Sequence, residues 1–158
     1  GIIPSGGWES KRCDSSKWIE ICNELQKAIK TKFIILWGPG DEKDSKEIFE
    51  GLKPNPLIAP NTTFGELSGL IEKCDLIIAN DSGPMHVAAA LSIPTIGIFG
   101  QTNPENHKPF SANSVYVIKS DLHCIICNKL VCPYKHECML ELDPKEFVTK
   151  AKRLLDLA

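Results

Sequence analysis

What this chain lacks narrows its class before any residue is singled out. It has no apolar run long enough for a transmembrane helix or a signal peptide, since the longest runs are strand-sized and interrupted. Charge of one sign is missing too: 18 Lys and Arg stand against 20 Asp and Glu, a net charge of −2. That excludes the electrostatic footprint of nucleic-acid binding, and no basic amphipathic stretch suggests a membrane surface. The dinucleotide fingerprint G-x-G-x-x-G does not follow the first predicted strand, which argues against a plain nicotinamide dehydrogenase. G-x-x-x-x-G-K-[ST] occurs nowhere, which argues against a Walker-type nucleotidase. There is no internal repeat.

The remainder is ordinary for a globular protein. A length of 158 residues with 42% hydrophobic and 24% charged residues suits one domain with a respectable core. Without an export signal, the expected location is the cytoplasm. The opening Gly1-Ile2-Ile3 reads as a strand without an initiator methionine, which predicts that upstream sequence has been removed.

Strand and helix signals alternate along the chain. Gly1–Ser5 reads as a first strand with Gly6 to Lys11 as its loop. Trp18, Ile21, Cys22, Leu25 and Ile29 then mark one face of a helix starting near Ser15 or Ser16. Phe33–Trp37 is a strand broken by Gly38-Pro39-Gly40, and Asp41 can cap a helix to about Leu52. Leu57–Ala59 is a third strand, and Thr63 with Glu66 has capping-box spacing for a helix to about Lys73. Asp75–Asn80, Thr95–Phe99 and Val115–Ile118 complete six strands. Asp143-Pro144 with Glu146 opens a closing helix through Leu155. This alternation predicts an α/β, Rossmann-like three-layer domain with a mostly parallel sheet.

The stretch Cys74–Gly100 carries the strongest functional signal. After the buried strand, Asp81-Ser82-Gly83 makes a turn; Ser82 is placed to cap a helix and Pro84 suits its first position. Such a helix start aims unpaired N–H groups and a partial positive charge outward, and Gly83 permits close approach to the main chain. Asp81, Ser82 and His86 cluster at the carboxyl end of this strand, where open parallel sheets bind ligands. Three further loops converge there, at Gly6 to Lys11, Trp37 to Glu42 and Phe99 to Pro104. Taken singly, Lys11 and Glu42 also read as solvated charges and His86 as a capping or core residue. Together they outline a phosphate and sugar site.

These segments resemble a known family. N-D-S-G-P-M-H-V-A-A-A-L followed by I-P-T-I-G-I-F-G-Q-T-N-P is similar to the signature of glycosyltransferase family 9, the ADP-heptose:lipopolysaccharide heptosyltransferases and their relatives. The loop ending at Lys11 and the W-G-P-G-D-E segment resemble that family's other donor loops. The resemblance covers essentially the whole chain and implies the carboxyl-terminal half of a GT-B fold, residues 1–158 being the nucleotide-sugar domain and the amino-terminal acceptor domain being absent. It implies that Ser82 and Gly83 contact a diphosphate, Lys11 neutralises it, and Glu42 holds the ribose. Asp81 and His86 would face the sugar, Thr62 would lie along the adenine, and Gly6 and Gly7 would border the phosphates. Gly6 and Gly7 stand where many members carry hydroxyl residues, and Cys13 where most carry Trp. The implied reaction is inverting transfer of heptose from ADP-heptose to the lipopolysaccharide inner core, on the cytoplasmic side of the inner membrane. It needs no catalytic cofactor, and the general base belongs to the other domain.

A cysteine-rich loop at 121–139 stands apart. Cys124, Cys127, Cys132 and Cys138 put four of seven cysteines into fifteen residues. In a reducing compartment that density is compatible with structural zinc held by four thiolates, with His123 and His136 as substitute ligands. Free or disulfide-bonded thiols and an iron–sulfur centre are the alternatives. Cys22 and Cys74 read as small core residues. For the chain as a whole, the competing functions are a GT-B transferase using another nucleotide sugar and a non-catalytic nucleotide-binding module.

Overall fold

The computed structural model describes residues 1–156. Six strands, β1 (Ile2–Ile3), β2 (Ile34–Ile35), β3 (Leu57–Ile58), β4 (Ile77–Asn80), β5 (Thr95–Phe99) and β6 (Ser114–Ile118), form one sheet in the order β3-β2-β1-β4-β5-β6. All five pairings are parallel. The order reverses between β1 and β4, so the loops leaving these strands diverge and open a crevice above the sheet.

Because successive residues of a strand face opposite sides, the apolar runs feed two cores. Ile35, Ile2, Ile78 and Ile96 lie in register across four strands and face one layer. That layer contains Trp18 and Ile21 of α1 (Ser15–Ala28), Ile48 of α2 (Glu42–Gly51) and Phe147 of α7 (Pro144–Leu154). Ile3, Leu36, Ile77, Ala79 and Phe99 face the other, where Ile71 of α3 (Phe64–Glu72) and Met85 and Ala88 of α4 (Gly83–Ala90) cover them. Each fully buried isoleucine stabilises the fold by about 1.5–3 kcal/mol. The expected three-layer architecture is therefore present, with a sheet that is parallel throughout.

β1 and β2 are shorter than the apolar runs Gly1–Ser5 and Phe33–Trp37, only two residues of each being strand. Two short helices, α5 (Pro104–His107) and α6 (Glu137–Leu140), lie where the sequence predicts none. Thr63 and Glu66 form the expected capping box, and Asp143 accepts from the Lys145 N–H. Asp41 stands at the N-cap position of α2 without capping it. Its carboxylate is engaged elsewhere, as described below.

Candidate functional site

Asn80 ends β4 fully buried, and its amide works in both directions. Its Nδ2 donates to the Pro4 carbonyl at 2.7 Å and its Oδ1 accepts from the Cys13 N–H at 3.3 Å. One side chain thus ties the ends of β1 and β4 to the loop that carries Lys11. Cys13 is buried at the base of that loop, and burial pushes its thiol well above the ordinary range.

Directly after Asn80 the chain turns through Asp81 and Ser82 into α4. Ser82 occupies the N-cap position in extended conformation, φ −154°, but its hydroxyl makes no capping bond and is buried without a partner. The sequence expectation of side-chain capping there is corrected. Pro84 is the second helical residue, one later than expected, and has no N–H to satisfy. Gly83 and Met85 therefore supply the first-turn donors. Gly83 is exposed, and a Cβ built on it would meet nothing within 4 Å. The positive end of α4 is consequently open to a ligand from above.

The loop after β1 forms a 3₁₀ turn, Glu9–Lys11, that delivers Lys11 to this opening. Lys11 Nζ lies 2.6 Å from Asp81 Oδ2, with the lysine 17% and the aspartate 6% exposed. The same oxygen accepts from Thr102 Oγ1 at 2.7 Å. Arg12 anchors the turn from beneath: Nε donates to the Gly6 carbonyl at 2.9 Å, and Nη1 stands 2.7 Å from Asp41 Oδ1 and 3.4 Å from Asp44 Oδ2. The contact with Asp41 Oδ1 is an ion pair off the hydrogen-bonding angle. Asp41 Oδ2 also accepts from Ser5 Oγ and from the Gly38 N–H. This buried aspartate links the loops after β1 and β2, which explains why it does not cap α2.

The result is a cleft of about 340 Å³ lined by Gly7, Trp8, Lys11, Asp81, Ser82, Gly83, His86 and His107. Of the residues singled out in the sequence, Gly7, Lys11, Asp81, Ser82, Gly83 and His86 meet here. Gly6 does not line it; it is buried against Arg12, whose Cγ would lie 2.9 Å from an added Cβ. Glu42 is exposed at the start of α2 and accepts from the Gly40 N–H at 2.9 Å, outside the cleft. Thr62 is half-buried ahead of α3, also outside it. Sequence reasoning missed Trp8, His107, Arg12, Asn80 and Thr102. Thr102 and Asn80 carried a usable signal in their places in F-G-Q-T-N-P and N-D-S-G-P-M-H, and Trp8 in the loop from Gly6 to Lys11. A second cavity, of about 400 Å³, opens at the amino end of the sheet among Ile2, Leu25, Phe33 and Leu76. It has no helix start pointing into it, and parallel sheets bind ligands at the opposite edge.

Beside the cleft, Cys124, Cys127, Cys132 and Cys138 line one cavity of about 210 Å³ together with His123 and Gly100. All seven cysteines are free thiols. Burial first, and then the three facing thiols, push Cys138 up to about 12. His136 lies outside this cavity, its Nε2 3.2 Å from the Ser10 carbonyl. Among the described residues no three His, Cys, Asp or Glu groups converge closely enough to hold one ion. The expected four-thiolate metal set is thus gathered in one place but not drawn into a coordination sphere.

Comparisons with known proteins bear on this arrangement. Over 98% of its length the chain is 32% identical to lipooligosaccharide heptosyltransferase 2 of Campylobacter jejuni, of which it covers 50%. Its fold matches that of Escherichia coli ADP-heptose lps heptosyltransferase II with a TM-score of 0.79 at 21% identity, over 98% of this chain and 45% of the other. It also matches the dodecameric iron-containing heptosyltransferase TibC of enterotoxigenic E. coli, solved in complex with ADP-D-beta-D-heptose. There the TM-score is 0.72 at 16% identity, over 97% of this chain and 44% of the other. The chain spans about half the length of these proteins. The profile of glycosyltransferase family 9 (heptosyltransferase) matches residues 1–137, and the chain belongs to that family.

Proposed function

We propose that this chain is the donor-binding half of an inverting glycosyltransferase that moves heptose from ADP-heptose to the lipopolysaccharide inner core. One observation carries the reading: the open amino end of α4 faces Lys11 and Asp81 across a single cleft. In such a transfer an acceptor hydroxyl attacks the anomeric carbon, the bond to the diphosphate breaks, and negative charge grows on the departing phosphate oxygens. The Gly83 and Met85 N–H groups are fixed in advance where that charge develops and stabilise it without reorganising, and the Lys11 ammonium stands beside them, free to follow the diphosphate. Asp81 accepts from sugar hydroxyls, and His86 borders the same space. Glu42, opening α2, and Thr62, ahead of α3, hold the ribose and the adenine, and Gly6 supports the phosphate loop that exposes Gly7. The acceptor and the general base belong to the complementary half of the enzyme, which works in the cytoplasm at the inner face of the membrane. No helix among the described residues is long and apolar enough to cross that membrane.

The test is thermal unfolding of the 158-residue chain with ADP-, UDP- and GDP-sugars. A ligand at 100 times its Kd stabilises the native state by about 2.7 kcal/mol. ADP-heptose is expected to raise Tm most; a larger shift with another nucleotide sugar reassigns the donor, and no shift with any of them rejects the reading. A turnover assay on the chain alone is expected to detect no transfer.

For the cysteine loop we propose a structural metal, zinc or iron, held by Cys124, Cys127, Cys132 and Cys138. Their shared cavity, their soft thiolate donors and the iron reported for TibC support this. The thiols must draw together around the ion and release protons. Metal analysis of protein purified without chelators is expected to find about one equivalent of zinc or iron; metal-free protein rejects it in favour of reduced or disulfide-bonded thiols.

A further inference from the structure

We propose that Thr102 is a positioning residue for sugar recognition, orienting the Asp81 carboxylate so that one oxygen is reserved for the ligand. The proposal rests on the donor reading given above and deepens it. A carboxylate turns easily about its terminal torsion, so its direction is set by what its oxygens meet. Asp81 Oδ2 takes both the Lys11 ammonium and the Thr102 hydroxyl. Oδ1 has no partner among the described residues and is not sealed from solvent, although the residue as a whole is 5% exposed. A hydrogen bond and an ion pair on one oxygen leave the other free to accept.

Of those two partners only Thr102 is a fixed point. Lys11 reaches Asp81 through four methylenes and is the group that would follow a bound diphosphate. Thr102 is β-branched, stiff at χ1 and 7% exposed. Its segment leaves β5 and is braced by the cysteine-rich loop, for Gly100 O accepts from the Ile126 N–H at 3.0 Å and Gln101 O from the Asn128 N–H at 2.9 Å. Without the hydroxyl, the carboxylate is free to swing both oxygens towards Lys11 and Oδ1 is withdrawn from the cleft.

Thr102→Val keeps the shape and removes the hydroxyl; Thr102→Ser keeps the hydroxyl. Calorimetric titration of each, and of the unsubstituted chain, with ADP-heptose and with ADP separates the roles. Thr102→Val is expected to weaken ADP-heptose binding about tenfold. ADP, which lacks the heptose that Oδ1 would meet, should change less than about twofold, and Thr102→Ser should recover ADP-heptose binding to within about twofold. Equal losses for both ligands, no loss, or a loss that serine does not restore overturns the positioning role. Failure of the unsubstituted chain to bind either ligand overturns the donor reading itself, and the proposal with it.

Discussion

The cleft and the cysteine-rich loop are neighbours on the same rim, yet they are held in opposite ways. Around and beneath the cleft, a set of polar side chains is committed before any ligand arrives: Asn80 to Pro4 and Cys13, Asp41 to Arg12, Ser5 and Gly38, Asp81 to Lys11 and Thr102. In the cysteine loop, three residues adopt left-handed backbone, Ile126, Asn128 and His136, and the four thiols form no disulfide. It is moored to the rim chiefly by backbone bonds to Gly100 and Gln101. The difference teaches that one region is preorganised by its own side-chain hydrogen bonds, whereas the other gathers four thiols in one place without a covalent cross-link. The cleft nevertheless leans on the loop through Thr102.

Substitutions at three positions probe that contrast, in order of expected effect. Lys11→Met strikes the cleft alone. It removes the cation facing the α4 opening and leaves Asp81 without its ion pair, so ADP affinity should fall about 100-fold and depend less on salt. Calorimetry at two ionic strengths measures both. Gly100→Val strikes the seam between the regions, since a Cβ there would stand 2.8 Å from Cys138 Sγ and 3.1 Å from Met139 Cε. Overpacking of that kind should cost about 2 kcal/mol in denaturant unfolding and speed labelling of Cys138 by thiol reagents. An unchanged labelling rate would show that the loop is not docked through this contact.

Thr63→Ala changes a residue that lines neither the cleft nor the thiol cavity and sets the stability baseline. Loss of the α3 cap should lower stability by about 1 kcal/mol. Its pH dependence has a definite sign. Glu66 accepts from the Thr63 N–H and hydroxyl, and these bonds hold its carboxyl below the usual range. A carboxylate lowered in the folded state contributes stability above its unfolded pKa and loses it as pH falls through the folded value. The gap between Thr63→Ala and the unsubstituted chain should therefore be widest near neutral pH and narrow in acid, as followed by Tm from pH 7 to pH 3.

The fold was largely legible because the alternation of short apolar runs with 3.6-residue periodicity leaves few ways to bury both. The Ile-rich strands and the Trp18–Leu25 face of α1 read directly. Strand ends did not, because ladder partners depend on register that no local pattern carries. In the site, Asp81, Ser82 and Gly83 were legible from strand-turn-helix chemistry, and Lys11 from the convergence of loops. Arg12 and Asp41 were not: their ion pair joins residues 29 positions apart, and Asp41 looked like an ordinary helix cap until its carboxylate was seen to turn towards Ser5 and Gly38. Trp8 and His107 entered the cleft through a 3₁₀ turn and a four-residue helix too short to leave a periodic trace.

The claim on which the rest depends is that the first turn of α4 receives a diphosphate. It is tested most directly by following backbone amide resonances of the 158-residue chain during titration with ADP and, separately, with adenosine. The account expects the Ser82, Gly83 and Met85 amides to move with ADP and to stay in place with adenosine. Equal movement with both ligands, or movement confined to the cysteine loop or to the cavity around Leu25 and Phe33, would contradict it.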